Sequence, residues 1–235
     1  MAIKTQWIQV PAGSQSFRAY LATPDLPNPR PGVLVVQEIF GVNSHIRSVA
    51  DRVAEAGYVA LAPDLFWRAQ KDFEVGYTPD DIAKGREVRG KMDMEQVMTD
   101  MKSTADVLKA RPETKGQKMG VMGFCWGGLL TYMSACRFQP DAASAYYGGG
   151  IPPFLKEADK ITKPIMFHFG ELDKGIPMSD VEQVQAAVRS KKDATVFVYP
   201  GADHGFHCDQ RGSYHAPSAA KAWGRTMEFF GKTLG

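Results

Sequence analysis

The stretch that decides the fold is Gly123-Phe124-Cys125-Trp126-Gly127-Gly128. The run 118–122 before it predicts a short buried strand, and residues 129–133 after it begin a helical pattern. A nucleophile on such a sharp strand-to-helix turn has a strained backbone, so the residues two before and two after it must be nearly free of side chains. Gly123 and Gly127 meet this requirement, and Cys125 occupies the nucleophile position. The alternative for Cys125 is a small buried hydrophobic residue.

The chain before this turn predicts the first part of an α/β fold. Residues 3–10 and 15–21 flank Pro11-Ala12-Gly13-Ser14, which favours an antiparallel hairpin at the edge of a sheet. A continuous apolar run at 33–36, typical of a buried parallel strand, precedes a helix that we expect Ser44 to cap and Gly57 to end. The next elements are a strand at 58–62, an aperiodic cap-like segment at 67–80, and a helical pattern at 81–109 interrupted by Gly85 and Gly90.

The chain after the turn continues the alternation of strands and helices. Strand patterns occur at 142–147, 164–169 and 194–199, and helical patterns at 181–188 and 217–230. This alternation predicts a mainly parallel sheet with helices on both faces, preceded by the N-terminal antiparallel hairpin.

Composition narrows the classes of protein to consider. The 235 residues are 44% hydrophobic and 23% charged, which fits a single domain over 1–235. The net charge of +2 is spread along the chain, which argues against nucleic acid or an anionic membrane as a partner. The three cysteines lack the spacing of a disulfide framework, and the N-terminus lacks the apolar core of a signal peptide. We therefore expect a reduced, cytoplasmic protein.

Three chemistry-bearing residues each follow a predicted strand. They are Cys125, Asp173 and His204, in the order nucleophile, acid, base. Because parallel strands end at one edge of a sheet, these residues should lie together. The alternatives are a loop histidine at 204 and a turn residue at 173, with Glu171 as the rival acid.

The expected chemistry needs help from the surroundings of Cys125. A cysteine with an ordinary pKa of about 8.5 is mostly a thiol at neutral pH, so it needs His204 and the positive end of the following helix to become a thiolate. Two main-chain amides, those of Trp126 and Ile39, would form an oxyanion hole. Glu38, at the end of the same strand as Ile39, would repel an oxyanion unless it is turned away or paired. It is either a solvated strand-end carboxylate or a partner of the resting thiol.

We expect no cofactor and no metal. A metal site among the downstream residues would need a tetrahedral ligand set, and none has convincing spacing. The residues considered are His204, His207, Cys208 and His215.

With the three candidate catalytic residues and Gln37-Glu38-Ile39-Phe40-Gly41-Val42-Asn43 in place, the chain resembles the dienelactone hydrolase (carboxymethylenebutenolidase) family. The likeness covers nearly the whole sequence and includes residues 57–66, 146–148 and 204–206. The resemblance implies a monomeric α/β-hydrolase that opens an enol lactone through a cysteinyl thioester and then hydrolyses the thioester. It also implies that Glu38 holds the resting thiol and swings to help deprotonate it when substrate arrives.

One departure from the family concerns the substrate. Members that act on dienelactone carry a carboxylate-binding arginine four residues after the triad histidine, where this chain has Cys208. Arg211 is close enough in sequence to replace it, and Arg86 and Arg89 lie in the segment that supplies the family's other arginine. Phe40 and Phe206 are candidates to line an apolar pocket. The partner we expect is a small lactone or ester, and the alternatives are a broad carboxylesterase or a non-catalytic binding protein of the same fold.

Overall fold

The structure is a computed structural model that describes residues 1–235. The chain forms two compact units, Met1–Gly120 and Val121–Gly235. Its eight strands have the order β1-β2-β4-β3-β5-β6-β7-β8. The expected mainly parallel sheet with an N-terminal antiparallel hairpin is confirmed. That the whole chain acts as one domain stays a prediction.

The strands of the first unit begin with the predicted hairpin, in which β1 (Ile3–Ala12) pairs antiparallel with β2 (Gln15–Pro24). Gly13, at φ +67°, supplies the left-handed conformation that this tight turn needs. Strand β2 also pairs antiparallel with β4 (Val59–Pro63), and β4 runs parallel to β3 (Gly32–Val36). Every residue of β3 and β4 is buried, and for β3 the continuous apolar run predicts this.

The helices of the first unit differ from expectation at their boundaries. Helix α1 (Ser44–Glu55) is capped by Asn43 and not by Ser44, because the extended backbone of Asn43 lets its side chain accept a hydrogen bond from the Ile46 amide. The pattern at 81–109 forms two helices, α2 (Pro79–Gly90) and α3 (Met94–Ala110). Helix α2 starts with a capping box between Thr78 and Asp81, and Asp93 caps α3. A 3₁₀ turn follows at Pro112–Thr114.

The second unit begins within β5 (Met119–Phe124), at Val121. Strands β6 (Ala142–Tyr146), β7 (Ile165–Gly170) and β8 (Ala194–Tyr199) are parallel neighbours. Its helices are α4 (Trp126–Arg137), α5 (Met178–Val188) and α6 (Ala216–Thr233). A 3₁₀ segment at Pro152–Lys160 was not predicted from the sequence. No helix of the structure has the length and apolar character that crossing a bilayer requires.

A buried polar network joins the parallel strands of the second unit to α6. The Thr226 hydroxyl lies 2.6 Å from the Tyr146 hydroxyl, 3.0 Å from the Ser144 hydroxyl and 3.2 Å from His168 Nε2. The other ring nitrogen of His168 lies 2.8 Å from the Tyr199 hydroxyl. These hydrogen bonds satisfy polar groups whose burial without partners would destabilise the fold. Burial, with a smaller effect of the Arg225 charge, lowers the pKa of His168 to about 3.

This lowered pKa predicts how stability changes with pH. The unfolded chain takes up a proton on His168 near pH 6.5, whereas the folded chain resists protonation until about pH 3. The contribution of His168 is therefore complete above pH 6.5 and is lost as pH falls, by about 1.4 kcal/mol per pH unit between those values. Urea unfolding at several pH values should show a flatter acid slope for His168→Asn than for the wild type.

His215 supplies the control, because it is a partly exposed histidine of the same unit. His215→Asn should keep the wild-type slope. Equal slopes for His168→Asn and the wild type would contradict the assignment of a neutral, buried His168.

Candidate active site

Cys125 stands on the turn between β5 and α4 with φ +56° and ψ −116°, a left-handed conformation that is rare for any residue with a side chain. Its amide donates to the Tyr146 carbonyl over 3.0 Å, and its carbonyl accepts from the Gly128 amide over 2.9 Å. Such strain costs about 1–3 kcal/mol and persists only where the surroundings enforce it. The turn presents the Cys125 side chain partly exposed, while the other two cysteines are buried.

Close backbone approaches around the turn explain its glycines. A Cβ atom at Gly123 would lie 2.2 Å from the Gly127 carbonyl oxygen, which confirms the predicted steric requirement at Gly123. A Cβ atom at Gly128 would lie 2.5 Å from the Tyr146 carbonyl oxygen and 2.8 Å from Gly148 Cα. Sequence reasoning missed this second approach, although the doubled glycine after Trp126 was a visible signal.

The structure brings together the three residues that the sequence proposed as nucleophile, acid and base. His204 Nδ1 lies 2.6 Å from Asp173 Oδ2, and His204 is also hydrogen-bonded to the Cys125 thiol. The rival acid Glu171 instead accepts a hydrogen bond from the Gly201 amide over 2.9 Å. Asp173, and not Glu171, is therefore the carboxylate that is hydrogen-bonded to the imidazole.

The Asp173 carboxylate is fixed from both sides. Its Oδ1 accepts from the amides of Gly175 and Ile176, at 2.9 and 3.1 Å, while Oδ2 meets His204. The side chain of Asp173 is fully buried, whereas that of His204 is 26% exposed. A buried carboxylate with three donors holds the ring in one orientation and leaves its far side accessible.

Electrostatics favour the charged form of His204. Burial acts to lower the pKa of this imidazole, but the Cys125 charge and the hydrogen bond that the ring donates to Asp173 outweigh it and raise the pKa to about 10. An imidazolium beside a thiol stabilises the thiolate, the reactive form of cysteine.

Tyr147 packs against this group and carries its own strained backbone, at φ +34°. Its ring lies 5.2 Å from the His204 ring and 5.3 Å from that of Phe206, and its amide donates to the His168 carbonyl over 2.7 Å. Sequence reasoning assigned no role to Tyr147, because its backbone conformation has no signature in the residue type. Phe206 is fully buried.

The candidate substrate-binding arginines occupy different environments. A Cβ atom at Gly205 would lie 2.5 Å from Arg211 Nη1, so the Arg211 guanidinium lies against the backbone beside His204. Cys208, at the family's arginine position, is fully buried. Arg86 and Arg89 are exposed on α2.

The remaining candidates belong to two places in the chain. Glu38, Ile39 and Phe40 follow β3, and Trp126 is the first residue of α4. The alternative of a solvated Glu38 is wrong, because its side chain is buried and its Oε2 accepts from the Tyr77 hydroxyl over 3.2 Å. Phe40 is buried edge-on against the Tyr77 ring, with centroids 4.6 Å apart. Ile39 is partly exposed.

Comparisons with known proteins show the family of this chain. The family model described as "Dienelactone hydrolase family" matches residues 17–234. This chain belongs to the dienelactone hydrolase family. A Synechocystis sp. protein with the name "Putative carboxymethylenebutenolidase" is 40% identical, over 97% of this chain and 96% of that protein. A protein of the same name from Azospirillum brasilense is 36% identical, over 97% and 99%.

Solved structures place this dienelactone hydrolase family member in the α/β-hydrolase fold. A structure described as "Putative Dienelactone Hydrolase from Klebsiella pneumoniae subsp. pneumoniae" is 34% identical with a TM-score of 0.89, covering 98% of this chain and 99% of that chain. A "Dienelactone Hydrolase-like Promiscuous Phospotriesterase" from metagenomic libraries is 25% identical with a TM-score of 0.87, covering 100% of both chains. The protein is a hydrolase of ester or lactone bonds.

The close approach at Gly128 predicts the cost of adding one methyl group there. Gly128→Ala forces the start of α4 away from β6, so we expect a loss of about 1–3 kcal/mol in unfolding free energy. Urea denaturation of the wild type and of Gly128→Ala measures this difference in unfolding free energy. Gly224→Ala is the matched control, because Gly224 is exposed on α6 with no atom within 4 Å of an added Cβ. The control should gain about 0.5–1 kcal/mol, and equal effects at both sites would refute the steric account.

Proposed function

We propose that the protein opens an enol lactone of the dienelactone type, or an activated ester, through a cysteinyl thioester formed on Cys125. The observation that carries this proposal is His204, which hydrogen-bonds Asp173 on one side and Cys125 on the other and has a raised pKa. That arrangement supports a thiolate nucleophile at neutral pH. Cys125 has a left-handed backbone conformation and is partly exposed, and His204 beside it is a base that can receive and return a proton.

The first half of the proposed reaction is acylation. The Cys125 thiolate attacks the carbonyl carbon, a C–S bond forms, and the carbonyl oxygen becomes an oxyanion. The Trp126 amide, at the N-terminus of α4, is one proposed donor to this oxyanion, and the Ile39 amide stays the predicted second donor. Collapse breaks the ring C–O bond, and the enolate leaves with a proton from the His204 imidazolium.

The second half is hydrolysis of the thioester. Neutral His204 takes a proton from water while the water oxygen attacks the thioester carbon, and the C–S bond then breaks to return the Cys125 thiolate. Asp173 keeps the imidazole oriented through both halves. We include Glu38 among the catalytic groups on the strength of the family resemblance, and no step requires a metal ion.

Substitution of the nucleophile tests this proposal directly. Cys125→Ala should abolish turnover of dienelactone and of an activated aryl ester, and Cys125→Ser should lose most of it, because a hydroxyl is far less acidic than a thiol. Initial rates measured by absorbance, with parallel iodoacetamide labelling at pH 7, provide the readout. Only Cys125 should be labelled rapidly, and substrate should protect it.

Cys136→Ala is the matched control, because Cys136 is a buried thiol of the same unit whose pKa burial raises to about 11. It should keep wild-type turnover. Full activity in Cys125→Ala would refute the cysteinyl mechanism.

Arg211 is the proposed group that binds a substrate carboxylate. It is the candidate arginine whose guanidinium lies against the backbone next to His204, while the residue at the family's own position, Cys208, is buried and uncharged. A carboxylate-bearing lactone would gain a charge-assisted contact there. A broad carboxylesterase is the second candidate function, and the buried Cys208 is the observation that favours it.

A charge-matched pair of substrates separates these two functions. Arg211→Gln should raise KM for a carboxylate-bearing lactone by roughly 10-fold or more and leave KM for its methyl ester unchanged. Arg189→Gln is the control, because Arg189 is an exposed arginine of the same unit. Steady-state kinetics that show equal effects on both substrates would favour the broad carboxylesterase, and a selective loss in Arg86→Gln or Arg89→Gln would overturn the assignment of Arg211.

A further inference from the structure

Tyr77 makes a contact with Glu38 that sequence reasoning did not anticipate. Its hydroxyl donates to Glu38 Oε2 over 3.2 Å and accepts a hydrogen bond from Asn43 Nδ2 over 3.1 Å. The carboxylate at the end of this chain of hydrogen bonds is fully buried. A charged-group hydrogen bond in a buried setting is stronger and more orienting than one in water.

Asn43 fixes the far end of this chain of hydrogen bonds. Its Oδ1 accepts from the Ile46 amide and so caps α1, while its Nδ2 donates to both the Val75 carbonyl and the Tyr77 hydroxyl. The amide orientation is therefore set by partners on both sides. With its nitrogen as the donor, the Tyr77 hydroxyl must direct its own proton towards Glu38.

Hydrogen bonds and an ion pair hold the segment that carries Tyr77 against the loop after β3 and the start of α1. The Val75 amide donates to the Phe40 carbonyl over 3.2 Å, and Arg47 forms a bidentate ion pair with Glu74 at 2.6 and 2.9 Å. A Cβ atom at Gly41, where φ is +78°, would lie 1.9 Å from the Phe73 carbonyl oxygen. Only glycine allows this approach, which brings the segment alongside the loop.

We propose that Tyr77 is a positioning residue for the reaction, which acts by fixing Oε2 of the Glu38 carboxylate. The inference rests on the proposed function, in which Glu38 takes part. Without the Tyr77 hydroxyl, one oxygen of Glu38 loses a donor that defines the carboxylate plane. The Tyr77 ring would stay in place, because its packing against the Phe40 ring does not involve the hydroxyl.

The test is Tyr77→Phe, which removes one oxygen atom. We expect kcat on an activated ester to fall about 10-fold and KM to stay within about two-fold of the wild type, because substrate binding does not use the hydroxyl. Tyr20→Phe is the matched control, since the Tyr20 hydroxyl donates to Asp51 Oδ1 over 3.0 Å in the same unit. The control removes the same kind of tyrosine–carboxylate bond and should leave kcat unchanged.

A double-mutant cycle tests whether Tyr77 acts through Glu38. In a Glu38→Gln background, Tyr77→Phe should change kcat by less than about two-fold, because the carboxylate that it orients is gone. An equal loss in both backgrounds would overturn the proposal, as would a Tyr77→Phe enzyme with wild-type kcat. Failure of the proposed function appears in a different variant, as full turnover by Cys125→Ala.

Asn43→Asp provides a second route that spares the tyrosine. Aspartate still caps α1, but it replaces the Nδ2 donor with an acceptor that competes with Glu38 for the Tyr77 proton. We expect kcat to fall about three-fold or more, and the melting temperature to fall as well, because the Val75 carbonyl loses its Nδ2 donor. A wild-type kcat in this variant would also overturn the proposal.

Discussion

The strained backbone of Cys125 is the constraint on which the rest of the second unit depends. A non-glycine residue at φ +56° is stable only if its neighbours hold it, and here the Tyr146 carbonyl accepts the Cys125 amide while α4 packs glycine-to-backbone against β6. Those close approaches leave no room for side chains at Gly123 or Gly128. The strain is therefore maintained by the packing of a whole strand–helix–strand unit, and the residue at this turn is the one partly exposed cysteine of the three.

The charge distribution around that sulfur follows from the same geometry. The Asp173 side chain is fully buried. One of its oxygens accepts from two main-chain amides, and the other accepts from His204. A buried carboxylate so arranged supports a positive imidazole, and a positive imidazole supports a thiolate. The buried His168 of the same unit shows the opposite outcome. Its partners are hydroxyl groups, and burial keeps it neutral. The pKa values of two histidines in one unit thus shift in opposite directions, because only His204 faces the Cys125 charge and a carboxylate.

The sequence was sufficient for the elements whose signals are local. The buried runs of β3 and β4 and the glycine-flanked turn at Cys125 were predicted because hydrophobic runs and glycine spacing express their causes directly. The cap of α1 was assigned to Ser44 and lies at Asn43, because adjacent cap-forming residues differ only in backbone conformation, which residue type does not reveal. The contact between Glu38 and Tyr77 joins residues 39 positions apart, and no periodicity encodes such a pair.

The position of Glu38 shows why a family motif alone does not define a site. The motif supplies a carboxylate after β3, but one oxygen of that carboxylate accepts from Tyr77, which lies in an aperiodic segment. The Tyr77 hydroxyl in turn accepts from Asn43, which also caps a helix. Burial makes this dependence strong, because a buried carboxyl group takes its orientation from fixed protein donors. A change in the segment that carries Tyr77 can therefore retune a group in the motif without altering the motif itself.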